Sequence, residues 1–400
     1  MSNKTTKAQK LWKKAKKVVP GGNSLLSKRP EMLLPNKWPT YFNSTSGCEI
    51  TDLDGNKYID MSLMGVGTNI LGYSNKNVDK EVLKVVRKGN LSTLNCPEEV
   101  YLAERLINIH PWFHMARFAR TGGEANSIAI RIARAYSKKD NVAICGYHGW
   151  HDWYLSTNLT NKKGLDNHLL PGLSPLGVPK NLRNTTYSFR YNDIEALNRL
   201  IAKKNIGTIK MEVSRSQEPD IDFLKQVREI CDKKSIVLIF DECTSGFRGS
   251  FGGLHKICGV LPDMAIFGKA LGNGYPITAV LGKKDIMQSA QSTFISSTFW
   301  TERIGYVAAL KTLDEMEKIK SWEIITSKGN LIRRKWHVLA DKYNLKINTF
   351  GIAAIPGISF ISNNNLAYKT LITQEMLKKG FLASNLVYSC IKHSNKIIDK

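Results

Sequence analysis

The chain has 400 residues, 42% hydrophobic and 9% aromatic, which is the composition of a folded protein with a sizeable core and excludes a disordered or fibrous one. Fifty-eight Lys and Arg against 34 Asp and Glu give a formal charge of +24, yet lysines recur along the whole sequence and only Lys4 to Lys17 is a cluster, so a solvated basic background is expected and no nucleic-acid partner. No apolar run reaches membrane-spanning length, and seven scattered cysteines without a C-x-x-C spacing argue against a disulfide framework and a zinc site, which points to a reducing cytoplasm.

At the N-terminus, "KTTKAQKLWKKAKKVV" lacks the apolar stretch of a secretion signal and places Leu11, Trp12, Ala15, Val18 and Val19 on one face of a short helix. "YFNSTSGCEITDLDGNKYIDM" predicts two short strands joined by a turn at Asp54-Gly55. From about residue 76 helices and strands alternate. "KEVLKVVRKG" and "EEVYLAERLINIH" have helical periodicity, "ARFAR" reads as a strand, and "EANSIAIRIARAYSKK" as a helix with Ala125, Ile128, Ala129, Ile132 and Ala133 on one side. Further strands are expected at "NVAICG", "IGTIKMEV", "SIVLIF" and "MAIFG", with the helix "IDFLKQVREICDKK" among them. This alternation predicts an α/β fold in which a mostly parallel sheet carries helices on both faces. Beyond residue 300 a long helical pattern leads into "LKINTFGIAAIPGISFIS", an antiparallel pair in a separate lobe. The expected organisation is an N-terminal segment at 1–75, a large α/β domain at 76–305 and a small domain at 306–400. The closing "HSNKIIDK" begins with a capping serine or asparagine and stops before a full helix, so the last helix is expected to be cut short.

Ligands of an open parallel sheet bind beyond the carboxyl ends of its strands, so residues that follow strands carry the chemistry. After "ARFAR", Thr121, Gly122 and Gly123 open a helix whose bare N–H groups suit a phosphate, although such a turn also serves as a plain N-cap. After "NVAICG" come Tyr147, His148, Gly149, Trp150 and His151, a stacking surface for a flat heterocycle or a plug between lobes. His148 and His151 are spaced like a metal pair, but nothing completes the ligand set and no metal is assigned. "SIVLIF" ends in Asp241, whose carboxylate is costly there without a cation; Arg248 and Lys269 are its structural candidates. Lys269 follows "MAIFG" one strand further on.

One cofactor meets all four places. Pyridoxal 5′-phosphate (PLP) brings an aldehyde for Lys269, a ring nitrogen for Asp241 and a phosphate for the Thr121–Gly123 turn. Tyr147 would cover one ring face and Cys243, two residues past the aspartate, the other.

The blocks "DECTSGFRGSFGG", "PDMAIFGKALGNGYPITAVLG", "TGGEANSIAIRIARAY", "YHGWHDW" and "SSTFWTERIGYVAALKTLDEM" occur in an order that resembles the class III PLP-dependent aminotransferases, and glutamate-1-semialdehyde aminomutases in particular. The resemblance runs along nearly the whole chain. It implies the PLP-dependent transferase fold (fold type I), a mostly parallel seven-stranded sheet with a smaller α+β lobe built from both termini. It also implies that Lys269 forms the internal aldimine and shuttles protons, that Asp241 pairs with the ring nitrogen, and that Glu212, ending "IGTIKME", lies near the cofactor with His148. Thr298 matches a residue that reaches the phosphate of a neighbouring subunit, which implies a homodimer with the active site at the subunit interface. The activity implied is transfer of an amino group from an amino donor to a carbonyl acceptor by way of pyridoxamine 5′-phosphate. Four places depart from the family text. Gly123 stands where threonine is common, Ser27 where aminomutases carry a substrate-binding arginine, and the loop "MSLMGVGTN" lacks their tryptophan; "VSRSQ" after Glu212 also differs. These changes favour an acceptor other than glutamate semialdehyde, such as a sugar, a keto acid or another aldehyde, with the aminomutase reaction to 5-aminolevulinate as the alternative.

Overall fold

A computed structural model describes residues 6–168, 171–214 and 216–400. Lys4, at the head of the basic cluster, and Arg215, in "VSRSQ", lie outside the described residues. By internal contacts the chain forms two units, residues 80–318 and residues 1–79 together with 319–400. The contact boundaries fall a few residues past 75 and about a dozen past 305, because the helix Arg303–Ile319 belongs almost wholly to the larger unit.

In the larger unit β1 (Met115–Ala119), β2 (Asn141–Cys145), β3 (Thr186–Ser188), β4 (Ile206–Glu212), β5 (Val237–Glu242), β6 (Met264–Phe267) and β7 (Thr278–Gly282) make one seven-stranded sheet in the order β1-β7-β6-β5-β4-β2-β3. From β3 to β6 all neighbours are parallel, whereas β7 runs antiparallel to both β6 and β1. Every residue of β4 and of β5 is buried. Such strands read as nearly continuous apolar runs because both faces are covered. Two strands carried no signal of their own in the sequence. β3 is three residues of "TYS" at the sheet edge, and β7 follows a Gly- and Pro-containing turn that reads as loop.

The helix Gly122–Ser137 packs on this sheet. Its Ala125, Ile128, Ala129, Ile132 and Ala133 are buried in one core with Val142 and Ile144 of β2, Val237 and Ile239 of β5, Ile266 of β6 and Val280 of β7. Each fully buried isoleucine contributes roughly 1.5–3 kcal/mol relative to exposure, and small alanines between them bring the helix axis close to the sheet.

The smaller unit contains three antiparallel strands, Phe42–Ser46, Glu49–Asp52 and Lys57–Asp60, with Phe381–Leu382 added parallel to the third. The sequence reading gave two strands here; a second turn at Gly47, with φ 61°, divides the first run. Asp60 ends its strand by accepting the N–H groups of Ser62, Leu63 and Met64 and the Tyr73 hydroxyl. The hairpin Ile347–Phe350 with Gly357–Phe360 is antiparallel, and the long helical pattern is two helices, Arg303–Ile319 and Ser321–Lys342, broken at Lys320 with φ 49°. The first helix, Lys7–Val18, buries Ala8, Trp12 and Ala15, while Leu11 and Val18 stay exposed. The expected face was wrong by part of a turn, and Trp12 donates to Glu31 at 3.2 Å. All seven cysteines are free, and among the described residues no helix is long and apolar enough to cross a membrane.

Candidate active site

In the parallel register Glu212 lies opposite Asp241 and Glu242 opposite Phe267, so β4, β5 and β6 end together. Glu212, Asp241 and Lys269 therefore leave one edge of the sheet, the edge where open α/β sheets bind ligands. Asp241 is 4% exposed. Its Oδ2 accepts from His148 Nδ1 at 2.8 Å and lies 3.4 Å from Lys210 Nζ, and its Oδ1 accepts from the Cys243 N–H at 3.1 Å. Burial alone would raise its pKa; the Lys210 charge, then His148 and the Cys243 N–H, outweigh burial and hold the carboxyl well below the usual carboxylate range.

Neither of the two structural partners considered from the sequence is the one found. Arg248 donates from Nε to the Thr244 carbonyl, and Lys269 donates from Nζ to Thr244 Oγ1, both at 2.7 Å. Lysine and aspartate at adjacent strand ends are thus separately held, with no ion pair between them. Lys269 has φ 44° at the head of the short 3-10 turn Lys269–Gly272. A left-handed conformation costs a non-glycine residue about 1–3 kcal/mol, and strain of this kind collects at functional sites.

The turn after β1 is an N-cap with two donors to spare. Thr121 and Glu124 form a capping box in which Thr121 Oγ1 both accepts the Glu124 N–H and donates to Glu124 Oε2 at 3.0 Å. The Thr121 hydroxyl is engaged in the cap in this structure. Trp300 Nε1 donates to the other oxygen of Glu124 at 3.1 Å. Burial opposes the charge on Glu124, but the bonds from Trp300 and from the Thr121 and Arg120 N–H groups lower its pKa on balance. Gly122 and Gly123 are the first two residues of the helix, where N–H groups have no intrahelical acceptor. A Cβ on Gly123 would stand 2.5 Å from the His151 ring, so the imidazole fills the space a threonine side chain would take.

The aromatic loop divides its labour. Gly146, at φ 117°, lets the chain turn where any Cβ would meet Glu212 Oε2 at 2.6 Å, and Glu212 in turn accepts the Tyr147 N–H at 3.0 Å. Tyr147 is left 39% exposed. His148 is fully buried and its Nδ1 bonds to Asp241. His151 stacks on Trp150 at 4.5 Å, so the two histidines face different groups and make no metal pair. Cys243 Sγ lies 3.6 Å and 3.4 Å from the positions that Cβ atoms on Gly122 and Gly268 would take, on the floor between the helix start and the end of β6. Burial and Asp241 push its thiol pKa well up, so it stays neutral. Thr298 is exposed at the head of the turn Thr298–Thr301. Sequence reasoning missed Thr244 and Lys210. The first carried no signal; the second was visible as a charge inside "IGTIKMEV".

Donors at a helix start, a buried anion, a lysine on the neighbouring strand and a neutral thiol between them are the set that the phosphate, ring nitrogen, aldehyde and ring face of PLP require. The description "Aminotransferase class-III" is that of the family model matching residues 35–393. A 3-aminobutyryl-CoA aminotransferase of Cloacimonas acidaminovorans is 34% identical over 381 residues, 93% of this chain and 87% of that protein. A glutamate-1-semialdehyde 2,1-aminomutase of Methanococcoides burtonii is 33% identical over 388 residues, 94% of this chain and 88% of its own. Among solved structures, the FumI protein of Sphingopyxis sp. MTA144 in its PLP internal aldimine form superposes with a TM-score of 0.88 at 23% identity, covering 98% of this chain and 93% of that one.

Fold and site define a PLP-dependent enzyme of fold type I. More narrowly, the chain belongs to the class III aminotransferase family, and it moves an amino group between an amino donor and a carbonyl acceptor.

Proposed function

We propose that this enzyme binds PLP at the shared edge of β4, β5 and β6, with Lys269 as its covalent anchor and Asp241 as the partner of its ring nitrogen. When bound, PLP supplies an aldehyde that links to amines and a ring that accepts the electron pair released at the substrate α-carbon. Lys269 Nζ would anchor the aldehyde and, when free, would carry a proton to and from the substrate α-carbon. Asp241 holds the proton on the ring nitrogen, and His148 keeps that carboxylate oriented. The N–H groups of Gly122 and Gly123 take the phosphate, Tyr147 and Cys243 cover the two ring faces, and Glu212 fixes the loop that carries Tyr147. Thr298 of a second subunit completes the phosphate site, so the working form is a homodimer with its active sites at the interface. The free thiols fit a cytoplasmic enzyme.

The observation that carries this reading is the pair of strand-end residues, a buried carboxylate and a strained lysine, that do not neutralise each other. The identity to a 3-aminobutyryl-CoA aminotransferase makes β-amino acyl thioesters the first donors to test. The departures at Ser27 and in "MSLMGVGTN" favour transfer to an external acceptor. Similarity to the aminomutases supports a second reading, the conversion of glutamate-1-semialdehyde to 5-aminolevulinate within one active site.

The test is borohydride reduction of the PLP-loaded enzyme followed by peptide mass spectrometry. The label is expected on Lys269, and Lys269→Ala should lose it together with turnover, by on the order of a thousandfold or more. A label on another lysine, or full turnover in that variant, sinks the assignment. Glutamate-1-semialdehyde supplied without any donor separates the readings, because only the aminomutase returns aminolevulinate from it.

A further inference from the structure

Lys210 lies in the middle of β4 and is completely buried. Its register partners are Ile144 on β2 and Ile239 on β5, both in the core beneath the helix Gly122–Ser137, so its side chain leaves the sheet on that covered face. There Ala125, Ile128, Ala129, Ile132 and Ala133 have no side-chain acceptor, and the one buried polar side chain of the helix, Asn126, makes no hydrogen bond to Lys210. The side chain runs instead toward the strand ends, where Nζ stops 3.4 Å from Asp241 Oδ2, close enough for an ion pair but without an aligned hydrogen bond.

Stability does not explain this lysine. A buried ion pair gains little over a hydrophobic pair of similar volume, because desolvation consumes the Coulombic energy. The surrounding positions are isoleucines, and the carboxylate already has His148 and the Cys243 N–H. What Lys210 does add is a second cation on the anion that the ring nitrogen needs.

We infer that Lys210 is a positioning residue that shares Asp241 with the cofactor ring nitrogen and weakens the hold of that nitrogen on its proton. The inference rests on the PLP reading above and deepens it. One carboxylate can neutralise one cation, and beside a carboxylate only 4% exposed and an ammonium fully buried a second positive charge goes largely uncompensated. The ammonium and the protonated ring therefore compete. The titratable groups around Lys210 are Asp241 and Cys243 from β5 and the turn after it, Glu212 on its own strand, and His148 behind Asp241 from the loop after β2. Burial lowers the pKa of Lys210 below the ordinary lysine value, and Asp241, then Cys243 and Glu212, oppose that without reversing it. The result is a ring that is a weaker electron acceptor than one backed by an undivided carboxylate.

The experiment is nitrogen NMR of the holoenzyme loaded with PLP carrying nitrogen-15 in its ring, titrated from about pH 6 to about pH 9. In the wild type the ring nitrogen is expected to lose its proton within that range; a ring that stays protonated throughout overturns the inference, whether or not any variant folds. In Lys210→Met, which keeps length and volume and removes the charge, the midpoint should rise by about one unit or more, a tenfold gain in proton affinity. An unmoved midpoint overturns it too, and Lys210→Gln serves the same comparison if the methionine variant does not fold. Wild-type protein that binds no PLP overturns the PLP reading and the inference with it. Bound PLP with an indifferent ring nitrogen overturns the inference alone.

Discussion

His110 is buried between Trp112, Phe113, His255 and Phe267, and its Nδ1 bonds to the Leu106 carbonyl at 2.9 Å. Burial pushes its pKa down from 6.5 to about 3, so the folded protein refuses a proton that the unfolded chain accepts. The sign follows directly. Stability from this group is complete above the ordinary histidine pKa and is lost as pH falls from there toward about 3. Urea unfolding at about pH 5 and about pH 7 should show a loss for the wild type of which roughly 2 kcal/mol belongs to His110, and His110→Phe should lack that share. If the variant keeps the full loss, the ring is not the proton-refusing group. Asp241 and Lys269 were legible in the sequence because a charge that ends an apolar strand is a physical contradiction needing a partner. Thr244 and the Asp241-orienting role of His148 were not, since which atom a loop residue meets depends on the path of the loop. Lys210 presented the same contradiction within a strand, where alternation alone does not say what the side chain can reach.

Among the elements, the helix expected over 124–139 lies two residues earlier at Gly122–Ser137, and its five expected core positions are all buried because they recur at helical spacing. The strands β3 and β7 and the small-unit turn at Gly47 were not legible. A three-residue edge strand has too few positions to show a period, and β7 is set by pairing across the sheet with β1 and β6. The N-terminal helix was found but rotated: Trp12 and Ala15 belong to both faces, and the bonds of the Lys7 and Ala8 N–H groups to Asp54 accompany the burial of Ala8 in place of Leu11 and Val18. The start of the Gly122 helix yields a prediction. Gly123→Thr, which restores the common family residue, places a Cβ against His151 and should destabilise by about 1–3 kcal/mol through overpacking. His151→Ala should relieve most of that loss in the double variant. Additive losses in a thermal or urea double-mutant cycle would mean that the imidazole moves aside freely.

For the whole molecule, the family and the α/β class were readable from ordered motifs and from the alternation of helices with strands. The joining of both termini in one lobe followed from the family resemblance alone, since the pairing of Phe381 with Ile59 is one that no local pattern announces. The proposed dimer is a prediction at this scale. Light scattering on a size-exclusion column should give twice 44.9 kDa for the holoenzyme, and a monomer that retains turnover would remove Thr298 from the phosphate site. The joining of the termini also bears on how the protein is made. Phe381 pairs with Ile59, so a strand that leaves the ribosome early waits for more than three hundred further residues before its neighbour exists. Residues 80–318, one uninterrupted run, can complete their own sheet during that interval. The open edge at Lys57–Asp60 is then the surface that a nascent-chain chaperone would have to shield, and stalled translation beyond residue 318 should leave residues 80–318 folded while the other unit stays unfinished and prone to aggregate.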